Sequence, residues 1–348
     1  MDTTKEKTSD DLFTAEQKEL LALAQSKFPI TADPYAALGE QMGMTGDEAY
    51  AVMQSLHDAG YIRRLGPAFN SYRLGYVSTL CAVSVPDEKL ESVTEYINGF
   101  YNITHNYLRE NDYNVWFTVI AHGDAELQRI VGLVEENAGS QVLQLPALRL
   151  FKIKVDFNVK GVARAAEKRQ AMIPKNVVPI EVTDDDIAII RAAQVDILAG
   201  RYPFKDIAEE VSRRTGKTVR EEQVVDTLQG WRNNGTIRRF GITLFHQKAG
   251  FDFNVMGVWD VKDEQVEEAG AIMAMQDEIS HCYERPRVRD WQSNLYTMIH
   301  GQSLEQCDEA IASIRSALAA GGIEVEQPQK LYTLRELKKK SMKYFYEE

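Results

Sequence analysis

Two short passages of the 348-residue chain carry the same three chemically useful side chains at the same spacing: His105, Tyr107 and Arg109, and again His281, Tyr283 and Arg285. Residues two apart project from one face of a β-strand, so each trio would present an imidazole, a phenol and a guanidinium side by side. Such a row can move a proton near neutral pH, donate a hydrogen bond and hold an anion. It could equally be a set of ordinary polar side chains on a half-solvated strand, and duplication alone would leave the same imprint. The second passage continues as Arg285-Pro286-Arg287-Val288-Arg289-Asp290-Trp291, where the first has Asn111-Asp112-Tyr113-Asn114-Val115-Trp116. Arginines grip carboxylates bidentately and an indole face suits a planar ligand, so the second copy holds more of the anion-binding charge. Each copy also ends a later strand with histidine before glycine, His122-Gly123 and His300-Gly301, either a turn cap or a ligand or proton donor. His57 and His246 stand alone. No serine or cysteine triad, phosphate loop or carboxylate-rich metal cage is evident.

The elements that must position these rows recur too. Ile62-Arg63-Arg64-Leu65-Gly66 returns as Ile237-Arg238-Arg239-Phe240-Gly241, and Gly75-Tyr76 as Gly250-Phe251, in the same order. Ahead of each arginine pair, turn residues and apolar spacing predict three short helices: 15–26, 35–42 and 46–59, then 185–193, 203–214 and 220–233. That is a helix-turn-helix with the arginine pair entering its wing. The period then changes. Strands are expected at 77–85, 103–110 and 113–121, helices at 87–99 and 124–138, and an extended segment at 141–155. The second copy repeats the order with strands near 253–261, 278–286, 294–300 and 323–334 and helices near 262–275 and 303–320. This βαββαβ order is ferredoxin-like. The expected fold is α+β, a tandem repeat of winged helix-turn-helix plus ferredoxin-like segment. Its expected parts are a first helix-turn-helix domain (12–74), a first ferredoxin-like domain (75–162), a connector (163–182), and the second pair of domains (183–249 and 250–337). Helices cover one face of each ferredoxin-like sheet, and the other face is free to pair with the second sheet.

Composition narrows the function. The formal charge of −12 opposes a chain that wraps polyanions over its whole surface, so an anionic ligand needs a local basic pocket. The first candidate recognition helix carries Asp47, Glu48 and Asp58 with no lysine or arginine. Its counterpart sets Arg220 and Arg232 among Glu221, Glu222 and Asp226. Arg63, Arg64, Arg238 and Arg239 are too few to supply an operator grip beside such helices, so DNA is not an expected partner. No stretch reaches the roughly 18 apolar residues of a membrane span and the N-terminus lacks a signal-peptide core, which points to a cytoplasmic protein without membrane partners. Cys81, Cys282 and Cys307 have no metal-site spacing and read as buried thiols.

Taken together, IRRLGPAFNSYRLGY, ITHNYLRENDYNVWFTVIAHG, IRRFGITLFHQKAGF and ISHCYERPRVRDWQSNLYTMIHG resemble the siroheme decarboxylases, a family similar in architecture to the Lrp/AsnC transcription regulators. The resemblance covers nearly the whole chain except the first ten or so residues, the connector and the charged tail after Leu337. The family commonly has two related subunits, and this chain looks like both fused into an internal pseudo-dimer that could also form a homodimer. The resemblance implies removal of two acetate carboxyl groups from siroheme to give 12,18-didecarboxysiroheme, on the way to haem or haem d1. It also implies a pocket between the paired sheets, and no cofactor beyond the iron of the siroheme substrate. A flat macrocycle with eight carboxylates suits clustered arginines and aromatics. On this reading His281 and Tyr283 transfer protons, with His105 and Tyr107 as first-copy counterparts. Arg285, Arg287, Arg289, Trp291, Arg109, Trp116, Arg63, Arg64, Arg238, Arg239 and His300 are the candidate substrate contacts. The chain itself binds no metal, although His281 or His105 could instead ligate the siroheme iron. After Arg109 the first copy lacks the proline and the extra arginines, so one principal site per chain is expected. The competing reading is an Lrp/AsnC-type regulator that senses haem or a metabolite.

Overall fold

The computed structural model describes residues 13–153, 177–244, 253–301 and 303–346. Residues 163–176 of the connector, His246 and the Gly250-Phe251 repeat lie outside the described residues. Thr14 and Thr45 open α1 (Ala15–Lys27) and α3 (Gly46–Asp58) with capping boxes to Gln17 and Glu48, while Asp33 caps α2 (Pro34–Glu40) ahead of a proline in its first turn. Each such cap contributes about 1 kcal/mol and fixes where the short helix begins. The wing strand β1 (Ile62–Phe69) leads into β2 (Tyr76–Val83), α4 (Leu90–Gly99), β3 (Ile103–Arg109), β4 (Val115–His122), α5 (Asp124–Ala138), β5 (Leu143–Pro146) and β6 (Arg149–Ile153). The second copy follows with α6 (Asp184–Ala193, boxed by Thr183 and Asp186), α7 (Pro203–Thr215), α8 (Glu221–Asn233), β7 (Ile237–Leu244), β8 (Phe253–Trp259), α9 (Val266–Ala274), β9 (Ile279–Glu284), β10 (Leu295–Gly301), α10 (Leu304–Ala320) and β11 (Gln329–Lys339). The fold is α+β, two winged-helix and ferredoxin-like units in tandem.

The copies are interlocked rather than strung together. The wings β1 and β7 pair antiparallel, with Gly66 opposite Gly241. A Cβ on Gly241 would stand 2.3 Å from the Ala24 carbonyl oxygen, so only glycine lets this strand lie against α1. Both winged helices share one core, including Leu20, Phe28 and Tyr35 from the first copy and Phe204, Leu228 and Phe240 from the second. The other nine strands form one sheet in the order β5-β2-β4-β3-β11-β8-β10-β9-β6. Its terminal strands, β5 and β6, are consecutive in the chain, so the sheet returns on itself. β5 pairs with β2 of its own copy, and β6 then crosses to β9 of the other. Likewise β11 pairs through Gln329–Tyr332 with β8 and through Thr333–Lys339 with β3. Helices α4 and α5 cover one outer face, α9 and α10 the other. The two inner faces meet through Ala82, Trp116, Leu143 and Leu145 from one side and Met256, Val258, Trp291, Tyr296 and Leu331 from the other.

Two expectations change. The extended run at 141–155 is broken at Ala147 and Leu148, because its halves pair at opposite ends of the sheet, β5 with β2 and β6 with β9. The last strand begins later than expected, at Gln329, and runs to Lys339, past the expected domain limit at 337, because β3 would otherwise be an unpaired edge. The charged tail is therefore part of the fold. The Lys340 amide donates to the Thr104 carbonyl at 2.8 Å. Gln194 exchanges hydrogen bonds with the Tyr344 backbone at 2.7 and 3.0 Å, and Tyr344 and Phe345 pack on the shared winged-helix core.

The recognition helices are occupied by this pairing. Along α3, Tyr50 and Gln54 donate to the Ala199 and Leu198 carbonyls at 2.9 and 2.5 Å, and His57 meets Asp196 at 2.9 Å. Arg201 bridges Asp33 and Asp47 at the start of the helix. Glu48, Ala51, Ser55 and Asp58 are left exposed, a stripe that would repel phosphate. Gln229 on α8 repeats the docking, donating to the Ile30 carbonyl at 2.7 Å. No helix among the described residues is long and apolar enough to cross a membrane. All three cysteines are free and buried.

Candidate functional site

Strands β3 and β9 each carry an irregularity just before their histidine, at Thr104 and Ser280, where the register against β4 and β10 slips. A bulge re-aims the side chains beside it. Here it sets a hydroxyl next to the following imidazole: Thr104 Oγ1 lies 2.9 Å from His105 Nδ1, and Ser280 Oγ lies 3.0 Å from His281 Nδ1. Beyond the bulge, alternation sends Asn106 and Leu108 one way and His105, Tyr107 and Arg109 the other. Leu108 joins the helix-side core, so the trio occupies the inner face. Cys282 marks the helix side of β9 in the same way. Both rows are stacked. His105 and Tyr107 rings are 6.4 Å apart with planes 28° from parallel, and His281 and Tyr283 are 6.3 Å apart at 13°. The guanidiniums of Arg109 and Arg285 lie over Tyr107 and Tyr283 at 5.2 and 4.9 Å.

Burial sets the protonation of both rows. It lowers the pKa of His105 to about 4, helped by the charges of Lys339 and Arg63. It lowers that of His281 to about 4 as well, with His105 as the second cause, so the two imidazoles feel each other across the inner face. Burial, then Glu336, pushes Tyr107 up to about 12, and burial also raises Tyr283. At neutral pH the two rows therefore hold two neutral imidazoles and two protonated phenols. They can accept a proton or ligate a metal through nitrogen, and donate hydrogen bonds through oxygen.

The two arginine pairs are divided by strand alternation. Arg63 carries its charge toward His105 and touches Ser341 at 3.5 Å. Arg238, exposed, acts on Tyr283 and holds Asn70 at 3.1 Å. Arg64 and Arg239 turn away from the rows. Arg64 donates to the Gln194 and Pro67 carbonyls at 2.9 and 3.0 Å, and Arg239 to those of Gln25 and Ile242 at 2.7 and 3.0 Å. As candidate substrate contacts these two are corrected to clamps between the copies.

The arginine run of the second copy also separates. Arg285 donates to the Leu145 carbonyl of the first copy, as Arg109 donates to the Leu331 carbonyl and Thr333 of the second at 2.8 and 2.9 Å. Both side chains brace the inner face from within; Arg109 is only 2% exposed. Arg287 is held by Asp260 and Asp263 on the loop after β8, away from the rows. Arg289 is exposed, with a positive φ of 55° that makes the loop turn. Trp116 and Trp291, expected to offer flat faces to a ligand, are 1% and 5% exposed and pack edge to face at 5.4 Å. Trp291 Nε1 further donates to the Tyr296 hydroxyl at 2.7 Å. They are core between the two inner faces, in one cluster with Leu145, Met256 and Tyr296. His300 lies beside Ser280 at 3.1 Å, one hydroxyl removed from His281, whereas His122 packs against Tyr76 and Phe345.

Sequence reasoning missed four residues. Lys339 stands opposite His105 on β11, and Tyr72, at the mouth of a cavity of about 460 Å³ lined also by Ser78, Gln144 and Pro286, acts on Tyr283 and Arg285. Thr104 and Ser280 are the others, and their signal was legible: a hydroxyl residue precedes both histidines. A smaller cavity of about 290 Å³ is lined by Asn98 and residues 336–340, Glu336 and Lys339 among them.

A pair of facing ferredoxin-like sheets behind paired winged helices defines an AsnC-like architecture, and comparison with known proteins agrees. Residues 73–152 and 248–338 match the AsnC-like ligand binding domain, and residues 17–63 match the siroheme decarboxylase NirDL-like HTH domain. The chain is 42% identical over 153 residues to a siroheme decarboxylase alpha subunit of Nitratidesulfovibrio vulgaris, covering 44% of this chain and 87% of that one. It is 29% identical over 332 residues to a siroheme decarboxylase of Hydrogenobacter thermophilus, covering 95% of both. The crystal structure of the siroheme decarboxylase NirDL superposes with a TM-score of 0.76 at 26% identity, over 95% of this chain and 94% of that one. A second structure of NirDL, with an iron-uroporphyrin III analogue, covers 95% of both chains with the same score and identity. The chain belongs to the siroheme decarboxylase family.

Proposed function

We propose that this chain is a carboxy-lyase acting on siroheme, removing two acetate carboxyl groups to leave methyl groups. The observation that carries the reading is that the two His-x-Tyr rows line the two facing inner faces, His105 acting on His281, with the cations of Arg63, Arg238 and Lys339 acting on the rows. Cations around neutral rings suit a flat polycarboxylate, whose charges would be neutralised at the rim while its ring lies against the row.

Each step breaks the bond between a methylene carbon and its carboxylate. Carbon dioxide leaves, the electron pair stays with the carbon and its conjugated ring, and one proton must reach that carbon. His281 and Tyr283 are the proposed proton-transfer pair, with His105 and Tyr107 their counterparts. An imidazole with a pKa of about 4 is by itself a poor proton carrier at neutral pH. Substrate carboxylates brought beside it favour the charged form and raise that pKa. Binding then takes up the proton that decarboxylation consumes. Tyr107 and Tyr283, kept protonated, can orient the reacting carboxylate by donating hydrogen bonds. Anaerobic incubation of the protein with siroheme tests the reading: products lighter by one and then two carbon dioxide units are expected. Siroheme that binds and returns at unchanged mass refutes it.

A further inference from the structure

The hydroxyl before the second-copy histidine is more constrained than its first-copy equivalent. Ser280 Oγ lies 3.0 Å from the Met298 carbonyl oxygen, 3.0 Å from His281 Nδ1 and 3.1 Å from His300 Nδ1. A hydroxyl has one proton and two acceptor lone pairs, and a carbonyl can only accept. One assignment makes all three contacts hydrogen bonds: Ser280 donates to Met298, and both imidazoles donate to Ser280 through Nδ1–H. His281 is thereby left with a bare Nε2. Thr104 has no such fixed orientation. It meets His105 Nδ1 at 2.9 Å, and the first copy has no imidazole where His300 stands: the ladder puts Ile120 there, two residues past Thr118 opposite His105, as His300 is two past Met298 opposite His281. Thr104 can donate to His105 or accept from it.

We propose that Ser280 is a positioning residue that locks His281 in its Nδ1–H tautomer, so that Nε2 alone meets the substrate, while the tautomer of His105 is left free. The asymmetry between the copies then resides in this hydroxyl and its second imidazole, rather than in the arginines that follow. The catalytic consequence rests on the siroheme reading; the tautomer does not. A locked Nδ1–H means that any proton or bond gained at the working face goes to one atom with its lone pair already aimed.

The test uses the full chain labelled with ¹⁵N-histidine at neutral pH without substrate, its six histidines assigned by difference with H281N and H105N. His281 is expected to show a protonated Nδ1 and an unprotonated Nε2 in the wild type and in S280T, and a mixture of tautomers in S280A. His281 found as Nε2–H in the wild type, or unchanged in S280A, overturns the proposal. With siroheme, S280A should lower kcat roughly 10- to 100-fold, with KM within about twofold, and S280T should restore most of it. Equal kcat in S280A and wild type refutes the catalytic consequence. A wild-type chain inactive on siroheme that still shows the locked tautomer refutes the decarboxylase reading alone. If S280A unfolds, the wild-type tautomer decides alone: Nδ1–H on His281 supports the proposal and Nε2–H overturns it.

Discussion

Replacing Arg64 by alanine separates a clamp from a ligand contact. Its guanidinium ties its own wing, through the Pro67 carbonyl, to the end of α6 in the other copy, through the Gln194 carbonyl. Carbonyls at a helix end lack intrahelical partners, and the dipole there favours a cation. Hydrogen bonds from a charged donor contribute about 1.5–3 kcal/mol each. Against this stand the burial of Arg64 and repulsion from Arg63 and Arg239, all of which lower its pKa. Taking the low end for both bonds, R64A should cost about 3 kcal/mol. At roughly 1.4 °C per kcal/mol for a chain of this length, the melting temperature falls by about 4 °C. R63A, which gives up only a 3.5 Å contact with Ser341, should stay within about 0.5 kcal/mol of wild type. Thermal unfolding followed by circular dichroism reads stability, and titration with an iron porphyrin carboxylate reads binding. R63A should weaken binding, and R64A should not do so below its melting transition. The double variant R64A/R239A should lose less than the sum of the singles, since each change relieves the other cation of repulsion. An R64A chain with wild-type melting and weakened porphyrin binding would refute the division of the pairs.

Two further outcomes follow from burial. His105 and His281 titrate near 4 in the fold against about 6.5 in an unfolded chain, so the unfolded chain binds more protons between those values. Stability should fall as pH drops from about 6.5 to about 4 and gain no further penalty from these groups below that, by up to about 3 kcal/mol for each histidine. The H105N/H281N variant should show a flatter loss over this window in denaturant unfolding, and an identical pH slope would contradict the shift. W291A should cost about 3–5 kcal/mol as a core cavity, while R289A should leave both melting temperature and porphyrin affinity near wild type. A W291A chain of normal stability that fails to bind porphyrin would instead restore Trp291 as a ligand face.

Caps, turn residues and a change of apolar period made the element order readable, because each is written within a few residues of the element it controls. The two rows were readable because strand alternation follows from sequence alone. What each arginine does was not. Arg63 and Arg64 are adjacent, and only the pairing of β1 with β7 decides which faces the sheet and which faces the neighbouring helix. Arg287 is captured by Asp260 and Asp263, carboxylates from an earlier loop. Trp116 and Trp291 align in sequence, yet in the ladders it is Tyr296 that stands opposite Tyr283 as Trp116 stands opposite Tyr107. Trp291 reaches the same core from a loop. Lys339 fell in a stretch whose charge reads as a solvated tail, until its pairing with β3 is known.

The exchange of last strands explains why both copies must be present for either row to form. β3 carries His105 and is flanked on one side by β11 of the second copy; β9 carries His281 and is flanked by β6 of the first. The arginine closing each row donates to a strand of the other copy, Arg109 to Leu331 on β11 and Arg285 to Leu145 on β5. Each wing reaches the other copy's first helix through Arg64 or Arg239. An isolated half would leave an edge strand unpaired, a buried guanidinium without its acceptor and a wing without its anchor, each a cost against a total stability of only about 5–15 kcal/mol. These ties are made largely through backbone carbonyls and strand pairing, which tolerate changes in neighbouring side chains. The copies were therefore free to diverge at the histidines' neighbours, Thr104 against Ser280 and Ile120 against His300, while the frame that brings the two rows together stayed the same.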